Sequence, residues 1–246
     1  MKLKNKVALI TGASKGIGRA TAIALAKEGC SVVINYKTDG KSAQEVLNQC
    51  NVYSTGNMLF KADITNNIAV KKMMEKIAET FTSLDVLINN AGTFDKHDSP
   101  TNIEAFENIF KTNFLSHVLV TKYSLKIMKR GKIVNVSSIH GKLGYGRPTA
   151  IAYSAFKAAL ESYTKNLAKQ LAPRILVNAV APGRVATPMW GKINSRQQKK
   201  LGEIHLIRRM IQPEEVADAI TFLVKNDAAC GEILTIDGGY GLGYIS

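Results

Sequence analysis

The sequence lacks long hydrophobic runs and is poor in cysteine. Only lysines and a very short apolar run precede Thr11, so we expect neither a signal peptide nor a membrane span, and we expect a cytoplasmic location. The three cysteines, Cys30, Cys50 and Cys230, are widely spaced and form no Cys-x-x-Cys pair. They are interpreted as reduced packing residues, and the sequence predicts no disulfide and no metal site.

Acidic residues are also scarce, since 19 aspartates and glutamates are outnumbered by 33 lysines and arginines, which gives a net charge of +14. A basic field raises the local concentration of any anion, so the charge alone leaves nucleic acid, a membrane surface and an anionic substrate as alternatives. The charge is not confined to a tail, and no repeat, low-complexity block or Pro/Ser-rich linker interrupts the chain. We therefore expect one compact basic domain over residues 1–246.

The distribution of apolar residues predicts the fold class. Short apolar runs alternate with longer segments of helical period, which is typical of a parallel sheet covered by helices on both faces. The predicted strands are residues 7–10, 31–35, 58–61, 86–89, 132–137, 176–180 and 233–236. This pattern predicts an α/β, doubly wound Rossmann fold with a seven-stranded, mainly parallel sheet flanked by helices.

A glycine-rich segment at residues 11–18 (TGASKGIG) directly follows the first predicted strand and leads into a helix-forming run at 19–26. A tight turn, a close backbone approach to a pyrophosphate and a helix N-terminus aimed at that anion all require residues without side-chain bulk. The alternative is an ordinary glycine-rich connection. The strand–turn–helix setting favours a nucleotide site.

The end of the second predicted strand favours one form of the dinucleotide. Folds of this kind place an acid about 20 residues after the glycines, where it binds the ribose hydroxyl of NAD. Here the sequence reads Asn35-Tyr36-Lys37, and Lys37 joins Lys15 in offering positive charge to a 2′-phosphate. NADP(H) is therefore favoured over NAD(H), the alternative being that two surface lysines in a basic protein carry no function.

Tyr153 and Lys157 lie four positions apart, so on a helix their side chains share a face. A cation close to a phenol favours the phenolate, which makes Tyr153 a candidate acid or base. The pair alone is weak evidence, because a lysine-rich chain contains Tyr-x-x-x-Lys by chance.

Taken together, the motifs resemble those of the short-chain dehydrogenase/reductases over nearly the whole chain. The matching residues are Thr11-Gly12-x3-Gly16-x-Gly18, Asp63, Asn89-Asn90-Ala91-Gly92, Asn113, Ser137-Ser138, Tyr153-x3-Lys157, Pro182-Gly183 with Thr187, and Asp237-Gly238-Gly239. Within that family, residues 133–138 and 178–183 look like the 3-oxoacyl carrier-protein reductase branch and its sugar-, steroid- and alcohol-oxidising relatives.

The resemblance implies a catalytic set of four residues. Tyr153 would exchange a proton with the substrate oxygen, and Lys157 would lower the pKa of Tyr153 and bind the nicotinamide ribose. Ser138, rather than its neighbour Ser137, would hold the substrate oxygen at the end of a strand. Asn113, within a helix predicted over 106–125, would support a water that links Lys157 to solvent.

The resemblance also implies a cofactor-binding set. In it, Asp63 would contact the adenine, the alternative being that it caps a helix before Ile64-Thr65-Asn66. The full set is Gly12, Ser14, Lys15, Gly16, Ile17, Gly18, Tyr36, Lys37, Asp63, Ile64, Asn90, Ala91, Gly92, Tyr153, Lys157, Pro182, Gly183, Val185 and Thr187.

Substrate choice is expected in a mobile lid at about 184–210, which follows Pro182-Gly183. The lid holds seven basic residues against the single acid Glu203, and Lys129, Arg130 and Arg174 are expected to flank the pocket. This charge favours a 3-oxoacyl thioester on acyl carrier protein or coenzyme A, as in fatty acid biosynthesis. The alternatives are a sugar, steroid or other secondary alcohol, with a lid that merely shares the basic bias of the chain.

Two departures from the family pattern affect the pocket and the assembly. Ser138 and Tyr153 are 15 positions apart, about two more than in the carrier-protein reductases, so the loop at 141–148 must absorb the extra length. Residues 227–232 are shorter than the family's run into the last strand, in a region that commonly forms a subunit interface. A homotetramer or homodimer is expected.

The alternative to an enzyme is a non-catalytic dinucleotide sensor or a nucleic-acid binder. This alternative is disfavoured, because all four catalytic residues are present.

Overall fold

The computed structural model describes residues 1–142 and 145–242, and its centre is a sheet of seven strands. The strands are β1 (Val7–Ile10), β2 (Ser31–Tyr36), β3 (Met58–Lys61), β4 (Val86–Asn89), β5 (Gly131–Val136), β6 (Ile175–Pro182) and β7 (Ile233–Ile236). Their order is β3-β2-β1-β4-β5-β6-β7, and every neighbouring pair is parallel. The predicted fold class is confirmed.

Helices cover both faces of the sheet. They are α1 (Gly16–Lys27), α2 (Gly40–Cys50), α3 (Asn67–Thr80), α4 (Ile103–Phe110), α5 (Ser116–Ser124), α6 (Ile151–Leu171), α7 (Ser195–Gly202) and α8 (Pro213–Lys225). Apolar residues of α1, α2 and α8 form one core cluster with the sheet, and those of α3, α5 and α6 form another. Among the described residues, no helix is long and apolar enough to cross a membrane.

The order of the strands places a crevice above β1 and β4. The chain moves outward from β1 to β2 and β3, then returns to β4 on the other side of β1. In open parallel sheets, ligands bind outside the carboxyl ends of the strands at the point where the order reverses. The candidate site is therefore expected at the carboxyl ends of β1 and β4 and of their neighbours.

The helical segment predicted over 106–125 contains a π-turn. Between α4 and α5 the chain makes one π-helical turn, Lys111–Leu115, in which the amide of Ser116 donates to the carbonyl of Lys111. The wider turn lets the Asn113 side chain pair with the backbone of Thr93, accepting from its amide at 3.1 Å and donating to its carbonyl at 2.9 Å. The prediction of a helical segment over 106–125 is confirmed, but the sequence did not predict the π-turn within it, and such turns are frequent at functional sites.

The cysteine prediction is partly corrected. Cys30 and Cys50 are fully buried in the core cluster of α1, α2 and α8, whereas Cys230 is exposed. Cys230 lies in the connection between α8 and β7, so it is not a packing residue.

Candidate active site

Tyr153 lies in the first turn of α6, and a buried carboxylate holds that turn in place. Asp98, only 5% exposed, accepts from the backbone amides of Ala152 and Tyr153, each at 3.0 Å. These amides have no partner within the helix, and a negative charge at a helix N-terminus is favourable. Asp98 therefore fixes the position of the first turn of α6, which carries Tyr153. Asp98 was not among the predicted residues, because an aspartate in a connection has no distinguishing pattern in the sequence.

Lys157 is one helical turn further along α6 and is 3% exposed. Its ammonium donates to the carbonyl of Val136 at 2.7 Å and lies 5.6 Å from the centre of the Tyr153 ring. Burial lowers the pKa of Lys157 to about 8. The lysine therefore titrates close to neutral pH.

The hydroxyl of Tyr153 has a raised pKa, chiefly because it is buried, while a hydrogen bond with Ser138 acts in the opposite direction. The causes of this shift do not include the charge of Lys157, whose ammonium donates to the Val136 carbonyl. That Lys157 lowers the pKa of Tyr153 remains a prediction.

The structure separates the two neighbouring serines. Ser138 reaches the hydroxyl of Tyr153, and its Oγ accepts from the amide of His140 at 3.2 Å. The Oγ of Ser137 instead lies 3.2 Å from the Lys157 carbonyl and 3.1 Å from a Glu161 carboxylate oxygen. β5 ends at Val136, so both serines follow the strand and do not belong to it. Ser138 is the serine beside the reactive tyrosine.

Gly92 brings Asn113 close to Lys157. A Cβ atom at Gly92 would lie 2.5 Å from Oδ1 of Asn113 and 3.8 Å from Nζ of Lys157. Any side chain at this position would collide with Asn113. Asn113 is fully buried, so its amide group lines the inner side of the Lys157 site.

The glycine-rich segment forms a turn at the N-terminus of α1. Gly12 and Gly16 adopt positive φ values of 62° and 57°, which side chains other than glycine rarely adopt. Asn35 holds this turn to the sheet, because its Oδ1 accepts from the Gly12 amide at 3.3 Å and its Nδ2 donates to the Ala62 carbonyl at 3.1 Å. Asn35 was considered only as a position that lacks an acid, so its positioning role was missed.

The N-terminus of α1 suits an anion. No side chain caps it, and no acid lies in its first turn. Its free amides and its dipole therefore favour a phosphate group. Thr187, just after β6, lies against the turn, since a Cβ at Gly16 would be 3.1 Å from the Thr187 methyl. These residues fit the pyrophosphate of a dinucleotide.

The ends of β1 and β4 are tied together at this crevice. The Oγ1 of Thr11 accepts from the amides of Asn90 at 2.9 Å and Ala91 at 3.1 Å. The side chain of Asn90 donates to the Thr11 carbonyl at 2.8 Å. The turn beside α1 and the Asn90-Ala91-Gly92 segment therefore form one wall.

Lys37 forms an ion pair with Asp63 at 2.7 Å, and its side chain is 65% exposed. Asp63 also accepts from the amide of Thr65 at 3.0 Å, but the residue that caps α3 is Asn66. The alternative interpretation of Asp63 as a helix cap was therefore wrong. The nearby acid Asp39 caps α2. The end of β2 thus presents Lys37, paired with Asp63, on an open surface.

The candidate residues meet at one edge of the sheet, whereas three basic residues do not. Lys129 and Arg130 precede β5, and Arg174 precedes β6, next to one another at the amino ends of these strands. The expectation that they flank the pocket was wrong within a single chain, because the pocket lies at the carboxyl ends.

His117 is a further buried group behind the site. It is fully buried on α5, and its Nε2 lies 2.7 Å from the Ala91 carbonyl. Its Nδ1 has no partner among the described residues. Burial, followed by the charge of Lys157, lowers the pKa of His117 to about 3. The neutral imidazole thus holds the backbone of Ala91.

His117 is expected to make stability depend on pH. Its folded pKa is below the unfolded value of about 6.5, so the unfolded chain binds more protons between these values. The free energy of unfolding should therefore fall by about 1.4 kcal/mol per pH unit as the pH drops below about 6. Urea unfolding measured from about pH 6 to about pH 4.5 should show this slope, reduced in His117→Gln. The exposed His97 provides the control His97→Gln, which should retain it. Equal slopes in wild type and His117→Gln would contradict the assignment.

The chain as a whole is similar to known proteins of one family. A family model described as enoyl-(acyl carrier protein) reductase matches residues 12–241. A 3-oxoacyl-[acyl-carrier-protein] reductase of Synechocystis sp. is 37% identical over 245 residues, covering 96% of this chain and 97% of that protein. A protein of the same name from Aquifex aeolicus is 37% identical over 249 residues, covering 97% of this chain and 98% of that one.

A solved structure of a short-chain dehydrogenase has the same fold as this chain. The crystal structure of a short-chain dehydrogenase from Burkholderia cenocepacia J2315 in complex with NADP matches with a TM-score of 0.87 and 30% identity, covering 98% of this chain and 100% of that one. The protein is therefore an oxidoreductase built on a Rossmann-type fold. It belongs to the short-chain dehydrogenase/reductase family.

Proposed function

We propose that the protein is an NADP(H)-dependent carbonyl reductase that acts on 3-oxoacyl thioesters. The observation that carries the proposal is the meeting of the Tyr153 and Ser138 hydroxyls next to the buried Lys157, at the edge of the sheet where the α1 turn lies. Two hydroxyl groups that hydrogen-bond to each other suit a carbonyl oxygen, which gains charge and then a proton.

The catalytic roles follow from the protonation of these groups. NADPH, when bound, supplies the hydride that the carbonyl carbon accepts. Tyr153 donates its hydroxyl proton to the carbonyl oxygen, and Ser138 donates a hydrogen bond to the same oxygen. The raised pKa of Tyr153 keeps that proton in place at neutral pH. Lys157, with a pKa of about 8, stabilises the phenolate that remains and returns a proton to it.

Asn113 supports this proton route. Its side chain is fully buried beside Gly92 and Lys157, and the π-turn fixes it to Thr93. We assign to it the positioning of a water that links Lys157 to solvent.

The cofactor residues follow the geometry of the crevice. The N-terminus of α1 and Thr187 would hold the pyrophosphate, while Pro182, Gly183 and Val185 would border the nicotinamide. Asp63 and Ile64 would contact the adenine, and Lys15 and Lys37 the 2′-phosphate. The complex of the Burkholderia cenocepacia dehydrogenase with NADP supports NADP(H) as the cofactor.

The substrate class rests on the two curated relatives, whose name is 3-oxoacyl-[acyl-carrier-protein] reductase. The matching family model carries the name of an enoyl reductase, which reduces a carbon–carbon double bond. The Ser138 and Tyr153 hydroxyls favour reduction of a carbonyl, since both would donate to its oxygen.

We further propose that residues 184–210 form a lid over the substrate and that the chain assembles as a homotetramer or homodimer.

A substrate panel tests the proposed function. NADPH oxidation should be fast with acetoacetyl thioesters and slow or absent with crotonyl thioesters, sugars and steroid ketones. Faster turnover of the crotonyl thioester would indicate an enoyl reductase. Turnover confined to a sugar or a steroid would move the chain to another branch of the family.

The cofactor preference is tested by Lys37→Asp. The change removes a cation expected at the 2′-phosphate and adds an acid for a ribose hydroxyl, so NADPH should bind at least about tenfold more weakly and NADH use should improve. KM values for both cofactors provide the measurement. Lys72→Asp, the same charge change at an exposed position on α3, is the control and should leave both values unchanged. An unchanged preference in Lys37→Asp would show that Lys37 does not select the cofactor.

A further inference from the structure

Arg184 is a partly buried cation whose hydrogen-bonding capacity is largely unused. It follows Pro182-Gly183 at the end of β6, and within the described part of the chain its Nη1 donates a single long hydrogen bond, 3.4 Å, to the Leu201 carbonyl. Its Nε is buried and has no partner among the described residues. The guanidinium lies 5.9 Å from the centre of the Trp190 ring. A guanidinium held in this way still offers several donors to an outside acceptor.

A second arginine, Arg147, lies close to Tyr153, because its backbone amide donates to the hydroxyl of the neighbouring Ser154 at 3.3 Å. Its guanidinium donates to the Thr149 hydroxyl at 3.2 Å. Burial lowers the pKa of Arg184, and the charge of Arg147 lowers it further. The same charge also contributes to the lowered pKa of His140, after burial. Within residues 1–142 and 145–242, neither arginine forms an ion pair with a carboxylate. The nearby Asp237 accepts from the amides of Gly239 and Gly241.

These arginines border the carbonyl site. His140 lies two positions after Ser138, and its ring is 6.0 Å from that of Tyr240. The Tyr240 ring is in turn 6.1 Å from His205, whose Nε2 accepts from the Arg184 amide at 3.1 Å. A continuous row of rings therefore leads from the residues beside Ser138 to Arg184.

We infer that Arg184 and Arg147 form an anion subsite at the mouth of the carbonyl site, which binds an oxyanion of the substrate. Two like charges without a carboxylate partner are unfavourable in the protein alone, and an anion between them offsets that repulsion. The oxyanion is a carboxylate on the acyl part or a phosphate on the arm that carries the thioester. This inference rests on the proposed function, because it specifies the substrate of the same site.

Trp190 is the single tryptophan of the chain and reports on Arg184 directly. Its fluorescence is to be titrated with two matched pairs of ligands, acetoacetate with methyl acetoacetate and 4′-phosphopantetheine with pantetheine. We expect a saturable change with the charged member of one pair and none with its neutral partner. The pair that responds identifies the source of the oxyanion.

Three variants test the residues. Arg147→Met leaves the Trp190 contact in place and should weaken anion binding about tenfold, as should Arg184→Met, because each removes a charged donor. Arg130→Met removes a charge from an exposed position before β5, at the opposite edge of the sheet, and should bind as the wild type does. The inference is overturned if neither charged ligand binds, if the neutral partner binds equally, or if both Arg147→Met and Arg184→Met bind like the wild type.

The two proposals fail in distinguishable ways. Reduction of neutral methyl acetoacetate or of a thioester without any anion-dependent fluorescence change would sustain the proposed function and reject the subsite. Anion binding that depends on Arg184 without reduction of any carbonyl would sustain the subsite and reject the proposed function.

Discussion

Tyr153→Phe is expected to lower kcat for carbonyl reduction about 1000-fold, within the range known for loss of a general acid. The substitution removes one oxygen and retains the ring, which contacts Phe94 with ring centres 6.0 Å apart. Ser138 remains but holds no comparable proton, because a serine hydroxyl is a far weaker acid than a phenol. The affinity for NADPH, measured by its fluorescence, should change by less than about threefold, since most of the proposed cofactor contacts lie elsewhere.

Tyr163→Phe is the matched control for this result. Tyr163 lies on the same helix, and its hydroxyl hydrogen-bonds to Thr121, away from Ser138. We expect its kcat to stay within about twofold of the wild-type value. If Tyr153→Phe kept a tenth or more of the wild-type kcat, Tyr153 would not be the proton donor.

Lys157→Met is expected to make the protein more stable while it abolishes turnover. Burial lowers the pKa of Lys157 to about 8, against an ordinary value of about 10.4. At neutral pH the folded protein therefore carries a charge that it disfavours, at a cost of about 3 kcal/mol. Methionine removes this cost but also the hydrogen bond to Val136, worth about 1 kcal/mol. The free energy of unfolding in urea at neutral pH should rise by about 2 kcal/mol.

The pH dependence separates this effect from packing. Between the folded and the ordinary pKa the unfolded chain binds more protons at Lys157, so the stability of the wild type should rise as the pH increases from about 8 to about 9.5. Lys157→Met should show no such rise. Lys165→Met, at an exposed position on the same helix, should behave as the wild type. A less stable Lys157→Met with an unchanged pH slope would contradict the assignment.

The central strands of the sheet were predictable from the sequence because they are buried on both faces. All four residues of β1 and of β4 are buried, so these strands read as short apolar runs bounded by polar residues. The glycine turn was predictable for a similar reason, since Gly12 and Gly16 adopt backbone conformations that other residues avoid. Apolar runs and glycine positions in the sequence were therefore sufficient to predict strands and turns, whose structure depends on neighbouring residues.

Features that depend on distant contacts were not predictable. Asp98 caps α6 from a position 54 residues before Ala152, and Asn113 in the π-turn pairs with Thr93, 20 residues away. The raised pKa of Tyr153 and the direction of the Lys157 ammonium depend on burial, which the spacing of Tyr-x-x-x-Lys does not contain. The position of Arg130 at the opposite edge depends on the topology of the sheet.

The transfer of deuterium from NADPH labelled at the transferable C4 position to acetoacetyl thioester tests the central claim most directly. We expect mass spectrometry to find a 3-hydroxybutanoyl thioester that carries one deuterium on the carbinol carbon, and to find about 1000-fold less of it with Tyr153→Phe at equal time. A parallel reaction with a crotonyl thioester shows whether deuterium enters a butanoyl product instead. The assignment of this site as a 3-oxoacyl reductase would be contradicted by acetoacetyl thioester recovered unchanged, by deuterium found only in the butanoyl product, or by equal product from Tyr153→Phe.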